Sequence, residues 1–336
     1  MHMYIKVKDV RKGDRLLHEQ LNEILKVLSR SLSKELSACL LLEDSVEEIR
    51  LRINRPVFVL CKGKEKYLTK SSELKTSNTL QNPRIVTKDD LVESLNYISR
   101  YSRYACEEEI RQGFFTIQGG HRIGIGGQVI VEKEEIRSFK QITFLTIRIA
   151  HEIKGGASFL LPYLYEEGRL FHTLIAAGPG NGKTTLLRDL IRQISDGSDG
   201  HTGVNVGVVD ERSEIGASFL GIPQNDIGMR TDVLDACPKV VGIKMLLRTM
   251  NPTVIAVDEI GTINDLEAIH QIIGCGCTIL ATAHSRMDNH LFLHTILEGK
   301  KLFERIVMLG NRENNEQMVS IYNGKGENLY RRLMHW

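Results

Sequence analysis

Acidic residues follow two apolar runs of this chain, at the points where such runs would leave a sheet. "VNVGVVDERSEIG" carries Asp210, Glu211 and Glu214, and "TVIAVDEIG" carries Asp258 and Glu259. Carboxylates at strand ends can hold a divalent metal ion and polarise a water molecule. A nucleotide hydrolase needs one such pair, so the second acidic strand requires its own explanation.

The stretch "LIAAGPGNGKTTLLRDLI" is the most specific signal in the chain. Its glycines let consecutive backbone N–H groups face a phosphate, and the helix that follows adds the partial positive charge of its N-terminus. Lys183 is predicted to reach the β- and γ-phosphates of ATP, and the Thr184 hydroxyl is predicted to bind Mg²⁺. Ala177 replaces the first glycine of the pattern, a small change that the loop tolerates. The predicted nucleotide-binding residues are Gly178, Pro179, Gly180, Asn181, Gly182, Lys183, Thr184 and Thr185.

The remaining candidates are expected at the same edge of one sheet. Asp258 is predicted to hold Mg²⁺ through water, and Glu259 is predicted to polarise the attacking water. A third apolar run, "CTILATAHS", ends in His284. A lone histidine is more often a surface or packing residue, but strand ends that face a triphosphate are where a γ-phosphate sensor belongs.

Apolar periodicity predicts the elements that position these residues. In the second half, strands alternate with helices, which indicates an α/β fold with a parallel sheet and crossover helices. In the first half, a helical pattern is followed by alternating residues such as Ile49 and Leu51, a helix capped by Thr87 and a glycine-rich hairpin. Strands are predicted near 171–177, 204–209, 253–258 and 277–282, and a helix is predicted from 183.

Length and composition set the organisation of the chain. A length of 336 residues favours two domains, and the predicted boundaries are 1–150, a linker over 151–168, and 169–336. The polar stretch 70–84 is expected to be an exposed loop.

The net charge of +2 argues against a strongly basic nucleic-acid binder, although residues 1–150 hold 26 Lys and Arg against 20 Asp and Glu. Scattered cysteines favour a reduced, cytosolic compartment, and no apolar run is long enough for a membrane span.

The order of these motifs resembles that of the ATPases that drive type II and type IV secretion and pili. "VDERSE" resembles the acidic box of this superfamily, "GCTILATAHS" resembles its histidine box, and Leu247, Arg248 and Pro252 match its lead-in to the second acidic motif. The resemblance implies a RecA-like P-loop ATPase domain with a mostly parallel sheet, preceded by a smaller α+β N-terminal domain. It also implies that Asp210 supplements the metal ligands. Glu211, Glu214 and His284 would then act with Lys183 and Glu259 in catalysis.

A narrower resemblance covers stretches that have no general role in nucleotide binding. "VEEIRLRINRPV", "RQGFFTIQGGHRIGIGG" and "RTDVLDACPK" resemble the family of stage III sporulation protein AA. That family implies work in endospore formation, in the mother-cell cytoplasm at the sporulation septum. It also implies a homohexamer that docks on membrane-embedded channel proteins and is peripheral to the membrane through them. "DEIGT" departs from the acidic motif of pilus ATPases, so the roles of its residues are not carried over directly.

In secretion ATPases, arginines of the N-terminal domain approach the phosphates. If this chain is similar, Arg122 in "GGHRIGIGG" and Arg148 in "LTIRIAH" are the candidates. Such a cation can stabilise charge that develops on the γ-phosphoryl group. Ion pairs within the front domain are an equal alternative for both residues, and Arg248 is another candidate for the phosphate-facing cation.

Three functional hypotheses remain at this point. The first is a hexameric ATPase that drives assembly of, or transport through, a membrane channel complex. The second is a nucleotide-dependent nucleic-acid-binding protein, which would need a basic and aromatic face in the front half; no nucleic-acid partner is expected, because aromatic residues there are few. The third is a switch that binds ATP and hydrolyses it poorly.

Overall fold

The computed structural model describes residues 21–43, 45–76, 80–102, 106–132, 134–198, 200–284, 302–313 and 316–335. The chain divides into two compact units, Met1–His151 and Glu152–Trp336. No helix in the described ranges is long and apolar enough to cross a membrane.

The front unit is built on an antiparallel sheet of seven strands in the order β4-β3-β2-β1-β7-β6-β5. β6 and β7 form a long hairpin, as the glycine-rich stretch predicts. The strands are β1 (Val46–Arg52), β2 (Phe58–Cys61), β3 (Lys64–Leu68), β4 (Leu74–Lys75), β5 (Phe114–Thr116), β6 (Arg122–Glu132) and β7 (Glu135–Arg148).

Helices cover one face of this sheet. They are α1 (Arg30–Leu40), α2 (Lys88–Ile98) and α3 (Glu107–Gln112), and residues 21–26 are also helical. Thr87 caps α2 in a capping box with Asp90, which confirms the predicted cap. Ile49 and Leu51 are fully buried in the core with the leucines of α1 and α2, so the predicted alternation of β1 is also confirmed.

The second unit contains a sheet of eight strands in the order β14-β13-β15-β16-β10-β17-β18-β19. The strands from β14 to β17 pair in parallel, and β17, β18 and β19 pair antiparallel. The strands of this sheet are β10 (Thr173–Ala177), β13 (Val206–Asp210), β14 (Thr231–Asp235), β15 (Val254–Ile260), β16 (Thr278–His284), β17 (Arg305–Glu313), β18 (Glu316–Asn323) and β19 (Asn328–His335). Two small hairpins contain β8 (Tyr165–Glu166) with β9 (Arg169–Leu170) and β11 (Gly197–Ser198) with β12 (His201–Thr202).

Helices cover both faces of the parallel strands. On β15, Val254 and Ala256 pack into the core on the side of α5, whereas Ile255 and Val257 pack into the core on the side of α6 and α7. Burial on both faces explains the continuous apolar runs of the sequence. The helices are α4 (Leu161–Leu164), which follows a 3-10 turn at Ser158–Leu160, then α5 (Lys183–Asp196), α6 (Lys239–Thr249) and α7 (Ile263–Gly274).

Three features differ from the sequence-based expectations. The stretch 151–168, predicted to be a linker, places Ala157, Leu160 and Leu164 in the core of the second unit, because these apolar side chains gain free energy from burial. The stretch 70–84, predicted to be a loop, contributes β4, although 77–79 lie outside the described residues. β14 was not predicted, because Asp232 and Asp235 leave only two consecutive apolar residues in this short strand.

The strand order brings the predicted motifs together. β16 lies between β10, which leads into the phosphate loop, and β15, which carries Asp258 and Glu259. All three strands run parallel, so their C-terminal ends meet at one edge of the sheet, where open α/β sheets bind ligands.

Candidate functional site

The phosphate loop joins β10 to α5 through residues 178–182. Gly180 and Gly182 have φ values of +72° and +83°, in the region that favours glycine. Gly182 is the N-cap of α5 and brings no side chain to cap the helix. The first-turn N–H groups of α5 are therefore not taken by a side chain of the N-cap, and they are well suited to an anion.

The β17–β18 hairpin holds the tip of this loop. Asn181 Nδ2 donates to Asn311 Oδ1 at 3.2 Å, and the carbonyl oxygen of Asn181 accepts from Gln317 Nε2 at 2.9 Å. Gln317 Nε2 also donates to the carbonyl oxygen of Gly310 at 2.8 Å. These bonds fix the loop in shape before a ligand binds.

Asp258 and Glu259 are neighbours on β15, and both side chains nevertheless reach the site. In a regular strand, successive side chains point to opposite faces. Here the register with β16 shifts between Val257 and Ile260, and Glu259 has a φ of +55°. This bulge aims both carboxylates at the same edge, as bulges beside active sites often do. A positive φ in a residue other than glycine is strained, which is typical of functional sites.

The two carboxylates contact different parts of the site. Asp258 Oδ2 accepts a hydrogen bond from Thr184 Oγ1 at 2.9 Å, and its other oxygen accepts from the hydroxyl of Thr282. Glu259 contacts Nε2 of His284 through one oxygen and the guanidinium of Arg212 through the other.

Lys183 closes this chain of contacts at the phosphate loop. Its Nζ lies 3.0 Å from Nδ1 of His284 and 3.4 Å from the carbonyl oxygen of Gly178. Burial lowers the pKa of the Lys183 ammonium group, and the carboxylates of Asp258, Glu259 and Glu214 oppose that shift. Lys183, His284, Glu259 and Arg212 thus form a continuous chain of contacting polar side chains beside the loop.

Asp210 lies at the C-terminal end of β13, as predicted, and its carboxylate contacts its own loop. Its carboxylate is 1% exposed and accepts three backbone N–H groups of its own loop, those of Glu214 (2.8 Å), Ile215 (3.0 Å) and Gly216 (2.8 Å). Burial raises the pKa of Asp210 to about 6, and the three hydrogen bonds oppose this shift. The loop thus orients both oxygens, and metal binding by Asp210 stays a prediction.

Arg188 connects the same loop to α5, and this role was not predicted from the sequence. It lies one helical turn after Thr184, and its guanidinium donates to the carbonyl oxygens of Ile215 (2.8 Å) and Glu214 (2.7 Å). Burial lowers its pKa. A cation in the second turn of the helix after the phosphate loop, beside an acidic strand end, is the signal that could have identified it.

The other two acids of this loop have different surroundings. Glu214 is close enough to Lys183 to raise the pKa of that ammonium group. Glu211 instead pairs with Lys239 at the start of α6. Glu211 therefore does not join the side chains that converge on Lys183. Arg212 does join them, and as the one cation within "DERSE" it was recognisable in the sequence.

A pocket of about 170 Å³ lies beside the phosphate loop in the second unit. Loop glycines and Thr185 form one side, apolar side chains form another, and polar groups of the β17–β18 hairpin complete it. Its lining residues are Ile153, Gly156, Gly180, Asn181, Gly182, Thr185, Leu186, Leu309, Arg312 and Gln317.

Thr184 and Asp258 fit the predicted magnesium site. A hydroxyl and a carboxylate 2.9 Å apart are the protein ligands of a hard cation that keeps water and phosphate oxygens in its shell. In the part of the chain that the structure describes, no group of three or more His, Cys, Asp or Glu could hold a metal ion by itself. The ion would thus need the phosphates of a nucleotide to complete its shell.

Arg122 and Arg148 lie on neighbouring strands of the front unit. Arg148 Nε is 3.5 Å from Glu48 Oε2, and the guanidinium of Arg122 lies 3.6 Å above the centre of the Phe114 ring. Arg248 lies in the last turn of α6. The supply of a cation to a phosphate by any of the three stays a prediction.

Known proteins resemble the chain over most of its length. The model of the family described as "Sporulation stage III, protein AA" matches residues 18–329. Stage III sporulation protein AA of Bacillus subtilis (strain 168) is 39% identical over 317 residues, which are 93% of this chain and 98% of that protein.

Solved structures of secretion ATPases share the fold. The ATPase DotB of Yersinia pseudotuberculosis aligns with a TM-score of 0.52 and 12% identity, over 83% of this chain and 76% of that one. The pilus retraction motor PilT with bound ADP aligns with a TM-score of 0.50 and 16% identity, over 82% and 78%. At such identities the likeness shows the fold alone. It confirms a RecA-like α/β unit preceded by a smaller unit with its own sheet.

Proposed function

The chain belongs to the family of sporulation stage III protein AA, and from that premise we propose that it is a secretion-type ATPase. In this proposal it binds ATP with Mg²⁺ around Lys183 and hydrolyses it. The free energy of ATP hydrolysis drives assembly of, or transport through, a membrane channel complex during endospore formation. The observation that carries the proposal is the convergence of Lys183, Thr184, Asp258, Glu259 and His284 at one edge of the parallel sheet.

Each of these residues has a distinct proposed task. The N–H groups of residues 180–184 and the ammonium group of Lys183 bind the phosphates. Thr184 and Asp258 would hold Mg²⁺, which offsets the negative charge of the phosphate oxygens when it is bound. Glu259 accepts a hydrogen bond from the attacking water and orients it. His284 contacts both Lys183 and Glu259. When Lys183 binds the terminal phosphate, its contact with His284 changes, and His284 in turn changes its contact with the Glu259 carboxylate.

The pocket beside the loop supports a nucleotide as the ligand. Ile153, which is 44% exposed, offers apolar surface to a base, while Thr185 and Arg312 offer polar groups to its edges or to the ribose. Apolar walls with a few convergent polar groups are typical of small-molecule sites. We place the adenine and ribose of ATP in this pocket.

The assembly belongs to the proposal as well. A homohexamer, docked on membrane-embedded channel proteins from the mother-cell cytoplasm, would let the front unit of one subunit offer Arg122 or Arg148 to the nucleotide of a neighbour. An arginine supplied in this way is worth about 10³–10⁵ in rate where it has been measured.

Phosphate release by the full-length chain tests the proposal. Lys183→Ala is expected to abolish nucleotide binding, whereas Glu259→Gln is expected to keep binding and to lower the turnover by about 100-fold or more. Lys244→Ala and Glu267→Gln are the matched controls, because both residues are exposed on neighbouring helices. A slow turnover that Glu259→Gln leaves unaltered would favour the regulatory switch over the motor.

A further inference from the structure

One face of the front sheet carries a group of arginines. Because Ile49 and Leu51 on β1 point into the core, Arg50 and Arg52 lie on the opposite face. The cross-strand register extends this face over β7, β6 and β5. We call it the arginine face and define it by Arg50, Arg52, Arg122, Arg148, Phe114 and Phe144.

Charge on this face is arranged at a cost to stability. Arg148 lies directly opposite Arg122 on one side and Glu48 on the other. Like charges directly opposite each other destabilise a sheet. Glu48 contacts both Arg148 and Arg50, and Glu65 also contacts Arg50 at 3.5 Å. Among the residues that the structure describes on this face, four arginines thus outnumber two carboxylates, and Arg148 remains 72% exposed.

Two aromatic rings lie on the same face. Phe144 covers Gly126 so closely that a Cβ atom on that glycine would fall within 2.7 Å of three ring atoms. The ring therefore lies across the sheet, and the residue is 41% exposed. Phe144 lies opposite Arg52, and Phe114 lies beneath the guanidinium of Arg122. Each ring is thus next to an arginine.

This combination has a specific chemistry. Exposed aromatic rings and guanidinium planes stack on unpaired bases, and arginines bind the phosphates between them. From the sequence no nucleic-acid partner is expected, because the net charge is small and aromatic residues are few, but the fold gathers four arginines and two aromatic rings on one face. We propose that, in subunits outside the ATP-bound ring, the arginine face binds single-stranded nucleic acid, with bases stacked on Phe144 and on the Arg122–Phe114 pair and phosphates held by Arg52 and Arg148.

Fluorescence anisotropy with the full-length protein tests this proposal. The probes are labelled oligo-dT and oligo-U of about 20 nucleotides, which is longer than one such platform covers. Binding is expected for at least one of the two, and it should weaken steeply between about 50 and about 200 mM salt. Phe144→Leu keeps an apolar cover over Gly126 but removes the ring, and it is expected to raise the Kd by about 5- to 100-fold. Arg148→Ala should lower the salt slope by about 1.

The control variants separate this face from other sources of binding. Arg137→Ala removes an exposed arginine of the same hairpin that pairs with Glu132, and it should leave the Kd unchanged. Lys183→Ala, which removes the proposed nucleotide site, should also retain oligonucleotide binding, so failure of the ATPase proposal would leave this result standing.

Four outcomes would overturn the inference. The first is that neither probe binds at the lower salt, and the second is that Phe144→Leu binds the probe as tightly as the unaltered chain. The third is that millimolar ATP displaces the probe from the Lys183→Ala variant. The fourth is that the chain binds anionic lipid vesicles through Phe144 and Arg148, whereas its oligonucleotide binding does not depend on these residues.

Discussion

The carboxylate of Glu259 is held on both oxygens, by the imidazole of His284 on one and by the guanidinium of Arg212 on the other. His284 connects it to Lys183 at the phosphate loop, whereas Arg212 approaches from an acidic loop and is 64% exposed. A carboxylate engaged on both oxygens is poorly placed to accept a hydrogen bond from water. Arg212 therefore restrains the residue that we propose as the water-orienting group.

Arg212→Ala is expected to raise basal ATP turnover by a few-fold. Exposed ion pairs contribute up to about 1 kcal/mol, so the gain in kcat should not exceed about fivefold, with KM unchanged. Steady-state phosphate release measures both constants. Arg331→Ala, at an exposed position of β19, is the matched control. A fall in kcat would show that Arg212 helps catalysis instead of restraining it.

The buried Asp210 predicts a pH dependence of stability. Burial raises its pKa to about 6 in the folded state, above the ordinary value of 3.8. Protonated Asp210 therefore contributes fully to the free energy of unfolding below pH 3.8. This contribution, about 3 kcal/mol in total, is lost as the pH rises through about 6. Chemical denaturation at several pH values between 4 and 7.5 should show a shallower decrease for Asp210→Asn than for the unaltered chain.

The matched control for this experiment is Asp232→Asn, at an exposed position of β14. It should leave the slope of stability against pH unaltered. An equal slope in all three proteins would remove Asp210 as its source.

At the scale of elements, the phosphate loop depends on glycines that no other residue replaces without strain. A Cβ atom on Gly182 would meet nothing within 4 Å, so the cost of a side chain there comes from the backbone alone. Gly274, at the end of α7, also has open space around it but no positive φ. The two glycines form a natural pair for comparison.

Gly182→Ala is expected to destabilise the chain by about 1–2 kcal/mol, because alanine must adopt a left-handed conformation there. It should also weaken nucleotide binding, since the N–H groups of the loop lose their orientation. Gly274→Ala should be neutral or stabilising by up to about 1 kcal/mol. Thermal denaturation and nucleotide titration measure both effects, and equal losses in the two variants would contradict this account.

The sequence predicted the elements of the second unit well, because buried parallel strands produce continuous apolar runs. It also identified the phosphate loop, whose residue types are dictated by backbone geometry. It did not predict the bulge that turns Asp258 and Glu259 to one side, because periodicity assumes regular strands. Nor did it predict the three backbone hydrogen bonds to Asp210, since the hydrogen bonds that orient a carboxylate form only in the folded loop.

At the scale of the whole molecule, the family and the fold lead us to propose a ring. Arg122 and Arg148 belong to the front unit, and their proposed action on a phosphate requires the nucleotide of a neighbouring subunit. Assembly should therefore respond to ATP.

Light scattering is expected to show a sixfold multiple of the 38.0 kDa chain with Mg²⁺ and ATP. Lys183→Ala should remain in the same state with and without the nucleotide, because it cannot bind the ligand that links the subunits. A single-chain mass for the unaltered protein under both conditions would exclude the proposed action in trans.

An experimental structure with Mg²⁺ and a non-hydrolysable ATP analogue tests the proposed nucleotide site. We predict that Nζ of Lys183 moves away from His284 and contacts the γ-phosphate. We also predict that Mg²⁺ lies next to the Thr184 hydroxyl and the Asp258 carboxylate. A nucleotide bound elsewhere, or a Lys183 that stays on His284 without touching a phosphate, would contradict the account.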